Sequence, residues 1–169
     1  PWLWSFHALH HSQVHLSFFT VARFHFVERL SARVAIFAPL LLLGLSQTET
    51  AVTAWLLTWH PRFCHANIRA NLGPLRYLVV TPQSHRVHHS RDPRLRDKNL
   101  ATHFPIWDML FGTHYYGRHE FPETGIDDRS FPLERSGRGF LTMAVAQTLY
   151  PFRQLVGARS RVESVLRRR

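Results

Sequence analysis

The chain has 169 residues, enough for one domain, with 21 Lys and Arg against 11 Asp and Glu and a formal net charge of +10. Its single cysteine, Cys64, excludes a disulfide framework and a thiolate metal cage. The thirteen histidines outnumber the acidic residues; the basic excess suits an anionic membrane face or nucleic acid, but nothing beyond charge supports nucleic acid, and no glycine-rich phosphate loop is present.

In chain order, residues 1–28 predict a helix: aromatic and aliphatic positions dominate and glycine is absent. The stretch from Leu30 to about Asn67 is the least polar of the chain, interrupted by Ser46-Gln-Thr-Glu-Thr50. One continuous membrane span would put Glu49 near the bilayer centre, at a cost of roughly 2.5 kcal/mol or more. A helical hairpin avoids that cost, with its tip at Ser46 to Thr50 and arms over about Leu30–Leu45 and Thr50–Asn67. Arg23, Arg29 and Arg33 precede it and Arg62, Arg69 and Arg76 follow it, so both feet fall on the cytoplasmic side by the positive-inside rule. Arms of this length leave thin spans, a re-entrant pair and a buried hairpin of a soluble helical protein open. Pro39 and Pro61 are expected to kink the arms.

Leu72-Gly-Pro-Leu75 turns the chain into Thr81-Pro-Gln-Ser-His-Arg-Val-His-His-Ser90, and Ser90 to Asn99 is a polar loop. Phe104 to Gly112 is a short apolar segment, and turns follow at Tyr115 to Arg118 and Phe121 to Gly125. Phe140 to Phe152 predicts an amphipathic helix against a membrane, and residues 151–169 a basic tail, solvated or meeting anionic headgroups.

The chemistry concentrates in two copies of one pattern. His7-Ala-Leu-His-His11 and His85-Arg-Val-His-His89 are both HxxHH, both followed by serine, and 85 − 7 = 78 residues apart. On a helix, positions i, i+3 and i+4 point to one side. Neutral imidazole is the commonest metal-binding side chain. Six such groups exceed what one ion takes, so the pattern predicts two metals between two helices. A pH-sensing patch is the alternative, but clustered imidazoles with almost no neighbouring carboxylate suit metal better. His25 and His65, at the two feet of the hairpin, are brought to the same membrane face as the clusters.

Trp4-Ser-Phe-His-Ala-Leu-His-His-Ser12, Arg23-Phe-His-Phe-Val-Glu28, His65-Ala-Asn-Ile-Arg69, Thr81 to Ser90, Lys98-Asn99 and Ile106 to Thr113 together resemble the fatty acid hydroxylase/sterol desaturase superfamily, in order from Trp4 to about Gly125. The resemblance implies an all-α, membrane-embedded enzyme whose two iron ions use O2, and electrons from a partner protein, to hydroxylate or desaturate a membrane lipid: fatty acyl, sterol or ether lipid. It implies His7, His10, His11, His65, His85, His88 and His89 as metal ligands, and His25 and Asn99 as residues that orient them. His60, one place off a family histidine, has no assigned role, and Trp107 and Asp108 read as structural. The family carries an earlier histidine pair that this sequence lacks, so residues 1–150 are expected to form a hydroxylase-like domain incomplete at its N-terminus. A non-catalytic metal-binding membrane protein is the alternative. Phe18, Phe19, Leu57 and Trp59 are candidates to line the lipid's approach, and His114 and His119 lie outside the clusters.

Overall fold

The computed structural model describes residues 2–133 and 139–166. Every regular element among them is helical: α1 (Trp2–His11), α2 (Phe26–Leu42), α3 (Gln47–Cys64), α4 (Pro82–His88), α5 (Ile106–Phe111) and α6 (Phe140–Leu166), joined by loops with short 3-10 turns. An isolated antiparallel bridge between Ser90 and Thr124 is the sole extended pairing among these residues. The all-α expectation holds.

The helix expected over residues 1–28 stops at His11. No Gly or Pro marks this end; hydroxyl groups do the work instead. Ser12 Oγ donates to Leu9 O at 2.8 Å, and Thr20 Oγ1 accepts from Ser17 N at 2.8 Å, so side chains take over backbone pairing and the chain turns. His25 then caps α2, its Nδ1 accepting from Val27 N at 3.2 Å.

α2 and α3 pack together as the expected hairpin, joined by Leu43 to Ser46. The tip is shorter than expected, because Gln47 to Thr50 already belong to α3. A capping box explains this: Ser46 Oγ accepts from Glu49 N while the Glu49 carboxylate accepts from Ser46 N. Gly44, at φ 67°, makes the left-handed turn that ends α2. Pro39 and Pro61 lie inside their helices.

The hairpin has an unusual surface. α2 has no buried residue, although Leu30, Val34, Leu41 and Leu42 lie on it, and Leu42 is 88% exposed. On α3, Val52, Trp55, Leu56 and Trp59 are exposed as well. No helix among the described residues is long and apolar enough to cross a membrane.

The packed part of the molecule lies at the hairpin's feet. α6 packs along α1, and Ala8, Phe131 and Tyr150 form a small core with Leu9, Ile126 and Leu133. α6 runs unbroken through residues 150 and 151, with Pro151 inside it; Arg167 to Arg169, in the basic tail, lie outside the described residues.

Candidate metal centre

Three elements carry the histidines. α1 presents His7, His10 and His11; α4 presents His85 and His88, with His89 as its C-cap; and His65 is the C-cap of α3. α4 is only seven residues long and is held from outside. Thr81 caps it in a reciprocal pair with Ser84, and Gln83 Nε2 donates to Arg118 O and Glu120 O. Asn99, buried with φ 51°, donates from Nδ2 to Ser84 O at 2.9 Å and accepts at Oδ1 from Tyr115 N at 2.8 Å.

The seven histidines divide into two groups, one of His10, His65, His85 and His89 and one of His7, His11 and His88. Each HxxHH motif therefore supplies both groups. Successive helical residues turn by about 100°, so i and i+4 lie about 40° apart while i+3 lies about 60° to the other side of i. His7 and His11 thus share one group and His10 turns to the other; His85 and His89 share the opposite group and His88 crosses back. The groups adjoin, with the His11 and His89 rings stacked at 4.2 Å between centroids.

In the four-histidine group the Nε2 atoms face one another. His65 lies 2.9 Å from His10, 3.0 Å from His85 and 3.2 Å from His89, and His89 lies 3.2 Å from His85. His65 Nδ1 donates to Pro61 O at 2.6 Å, so its Nε2 carries a bare lone pair aimed at three other ring nitrogens. In the second group His11 Nε2 lies 2.9 Å from His7 Nε2 and 3.1 Å from His88 Nε2. His7 Nδ1 donates to Glu28 Oε1 at 2.5 Å, and His88 Nδ1 faces Lys98 O at 3.4 Å.

These donor sets fit metal ions. Imidazole nitrogens bound to one ion at about 2.1 Å stand about 3.0 Å apart at right angles and about 3.4 Å apart in a tetrahedron. Six of the seven rings are held in the neutral form that binds metal. Burial, followed by repulsion from neighbouring histidines, keeps His10, His11, His85 and His89 well below the ordinary imidazole range. The same causes push His88 down to about 4.

The environments differ. All four members of the first group are buried, with Phe24 stacked on His10 at 4.1 Å. The second borders a cavity of about 750 Å³ lined by Trp4, His7, His11 and His88 with Leu100, Ile126 and charged groups of the 91–97 and 127–128 loops. Phe18, Phe19, Leu57 and Trp59 do not line it.

All seven expected ligands thus come together, and the two expected orienting residues stand outside the groups. His25 caps α2 and donates from Nε2 to Thr148 O at 3.1 Å, while Asn99 braces α4. His60 bonds Val80 O and His103 instead. Asp108 is structural, its carboxylate accepting from Leu100 N, Ala101 N and Thr113 Oγ1. Glu28 escaped the sequence reading. Its signal was its isolation: it is the one acidic residue in the first 48.

A helical scaffold presenting two adjoining, carboxylate-poor histidine clusters is the arrangement of a histidine-rich protein whose donor sets suit metal. The fatty acid hydroxylase family model matches residues 1–113, and the chain belongs to that family. It is 36% identical to ornithine lipid hydroxylase OlsE of Rhizobium tropici over 157 residues, covering 89% of this chain and 43% of that protein. It is 35% identical to alkylglycerol monooxygenase of Danio rerio over 111 residues, 66% of this chain and 24% of that protein. The corresponding Caenorhabditis elegans protein is 31% identical over 70% of this chain and 23% of its own length. The chain therefore spans less than half the length of these curated relatives. No solved structure matches it.

Proposed function

We propose that the natural protein is an O2-dependent di-iron oxygenase that hydroxylates or desaturates a membrane lipid. The observation that carries this reading is the convergence of seven imidazoles into two adjoining groups with neighbouring Nε2 atoms 2.9–3.2 Å apart. The relatives support the lipid: one is named for hydroxylating ornithine lipid and the others for oxygenating alkylglycerol. His10, His65, His85 and His89 would hold one ion, and His7, His11 and His88 the other. Two irons bound there would supply the reduction of O2 and the power to break an unactivated C–H bond, which no side chain supplies. Zinc suits the same nitrogens but has no redox chemistry.

The remaining work belongs to the chain. Pro61 O fixes the tautomer of His65, burial keeps water from the four-histidine group, and Asn99 sets the placement of α4. His25 starts α2 and ties it to α6, fixing the hairpin against α1. The cavity beside His7, His11 and His88 receives the reacting part of the lipid. The exposed apolar faces of α2 and α3 embed the hairpin in the bilayer, with the metal centre at its cytoplasmic surface. The electrons that O2 reduction requires come from a donor protein.

The test uses the full-length protein, with iron counted after anaerobic reconstitution in detergent and lipids profiled in cells with and without the gene. Two irons per chain, and a membrane lipid differing by one oxygen atom or two hydrogens, are expected. Far less iron, or an unchanged lipid profile beside an altered water-soluble metabolite, overturns the reading. Two irons with no chemical change at all would identify a metal-binding protein without catalysis.

A further inference from the structure

We infer that Glu28 is the positioning residue of the three-histidine group, its carboxylate turning the His7 ring so that Nε2 joins His11 and His88. The inference rests on the metal reading proposed above. His7 and His88 are the two members of the seven that packing does not fully enclose, and His7 has 30% of its side chain exposed. A ring so placed needs a bond to fix it. Glu28 provides that bond from α2, twenty-one residues away in sequence: its Oε1 accepts from His7 Nδ1 at 2.5 Å. With Nδ1 carrying the proton, Nε2 presents its lone pair toward His11 Nε2, 2.9 Å away.

The carboxylate has no competing use. Glu28 Oε2 is buried without a partner, and His7 is the only side chain bonded to the carboxylate among the described residues. Its position also suits a negative charge, since Glu28 lies in the first turn of α2, where the helix dipole favours anions. His25 makes that turn by capping it through Val27 N. A carboxylate accepting from the far nitrogen of a ligating imidazole fixes its tautomer and raises its basicity, and losing such a partner weakens metal binding about 10–100-fold. The first arm of the hairpin is thereby coupled to the half of the site that opens on the cavity.

The experiment compares full-length wild type, Glu28→Gln and Glu28→Ala in detergent, titrated anaerobically with Fe(II), alongside thermal unfolding of each metal-free protein. Glutamine keeps the size and an acceptor oxygen but removes the charge. The weaker of the two iron affinities is expected to fall about tenfold in Glu28→Gln and further, within about 100-fold, in Glu28→Ala. The tighter affinity and the metal-free melting temperature of Glu28→Gln are expected to stay at wild-type values. Wild-type iron affinities in Glu28→Gln overturn the assignment, even where Glu28→Ala fails to fold. So does an equal loss at both sites, or a lowered metal-free melting temperature in Glu28→Gln, each of which marks a role in the fold instead. Wild-type protein that takes up no iron sinks the oxygenase reading with it, whereas uptake indifferent to position 28 sinks only the role of Glu28.

Discussion

A buried histidine is normally a polar group satisfied by one or two hydrogen bonds; His10, His85 and His89 depart from that. Nδ1 of His10, His85 and His89 has no partner, and the Nε2 atoms point at one another. Such an array is stable only while uncharged or while a cation sits among the nitrogens, which gives the metal-free protein a particular acid response. His88 in the folded state takes up its proton near pH 4, against about 6.5 in an unfolded chain. Between those values the unfolded state binds more protons, so stability is full above about pH 6.5 and falls as pH drops toward 4. His10, His11, His85 and His89 are shifted in the same direction and add to the effect. Metal-free protein is therefore expected to melt at a lower temperature at pH 5 than at pH 7.5, by scanning calorimetry in detergent; equal melting temperatures would contradict neutral burial. Single substitutions separate the groups. His89→Ala and His88→Ala each take one ligand from a different group, and each is expected to lower bound iron from two toward one per chain and abolish turnover, while His114→Ala, which touches neither group, retains both ions.

At the scale of the element, α4 shows how a seven-residue helix and its C-cap hold three of the clustered histidines in place. A free helix of that length is unstable in water, so its geometry comes from its neighbours. Asn99 is the most demanding of them, adopting left-handed φ to bond Ser84 O and Tyr115 N at once. Asn99→Ala loses both bonds and retains the unfavourable backbone, and is expected to destabilise the protein by about 2 kcal/mol and weaken iron binding. Differential scanning calorimetry and iron titration read the two effects, and an unchanged melting temperature would dismiss the bracing role. Much of this was legible beforehand. HxxHH on a helix names the histidines that converge, because the spacing is local, and Leu30 to Asn67 showed its hairpin through the polar break at Ser46 to Thr50. The crossing of His10 and His88 into opposite groups was not legible, since it depends on how α1 and α4 face each other. Nor was the end of α1, where serine and threonine side chains do what Gly or Pro would have announced. Glu28 was hidden for the same reason as the crossing: its partner is distant in sequence.

The whole molecule divides between a packed base that holds histidines and a hairpin that buries almost nothing within the chain. An apolar hairpin exposed to water would cost free energy along its full length, at about 25 cal/mol per Å² of apolar surface. Leu30, Val34, Leu41, Leu42 and Leu43 on one arm and its turn, with Val52, Trp55 and Leu56 on the other, are all more than half exposed. A bilayer would remove that cost and, in the proposed placement, would bring the feet of both helices, with His25 and His65, to one surface. Arg62 extends the pattern, its guanidinium 5.6 Å from the Trp59 ring and 6.0 Å from Phe18, the arrangement of an interfacial anchor. Two measurements on full-length protein in vesicles test this placement. Trp55, as the single tryptophan left in a variant, is expected to be quenched by lipids brominated on their acyl chains, and Trp4 in the same background to be spared, because it packs on His11 at the base. Cysteines introduced at His15 and Arg69, on the exposed connections at the two feet, are expected to react with a membrane-impermeant thiol reagent from the same side. Quenching of neither tryptophan would take the hairpin out of the bilayer, and labelling of the two cysteines from opposite sides would separate the feet and with them the histidines that the centre requires.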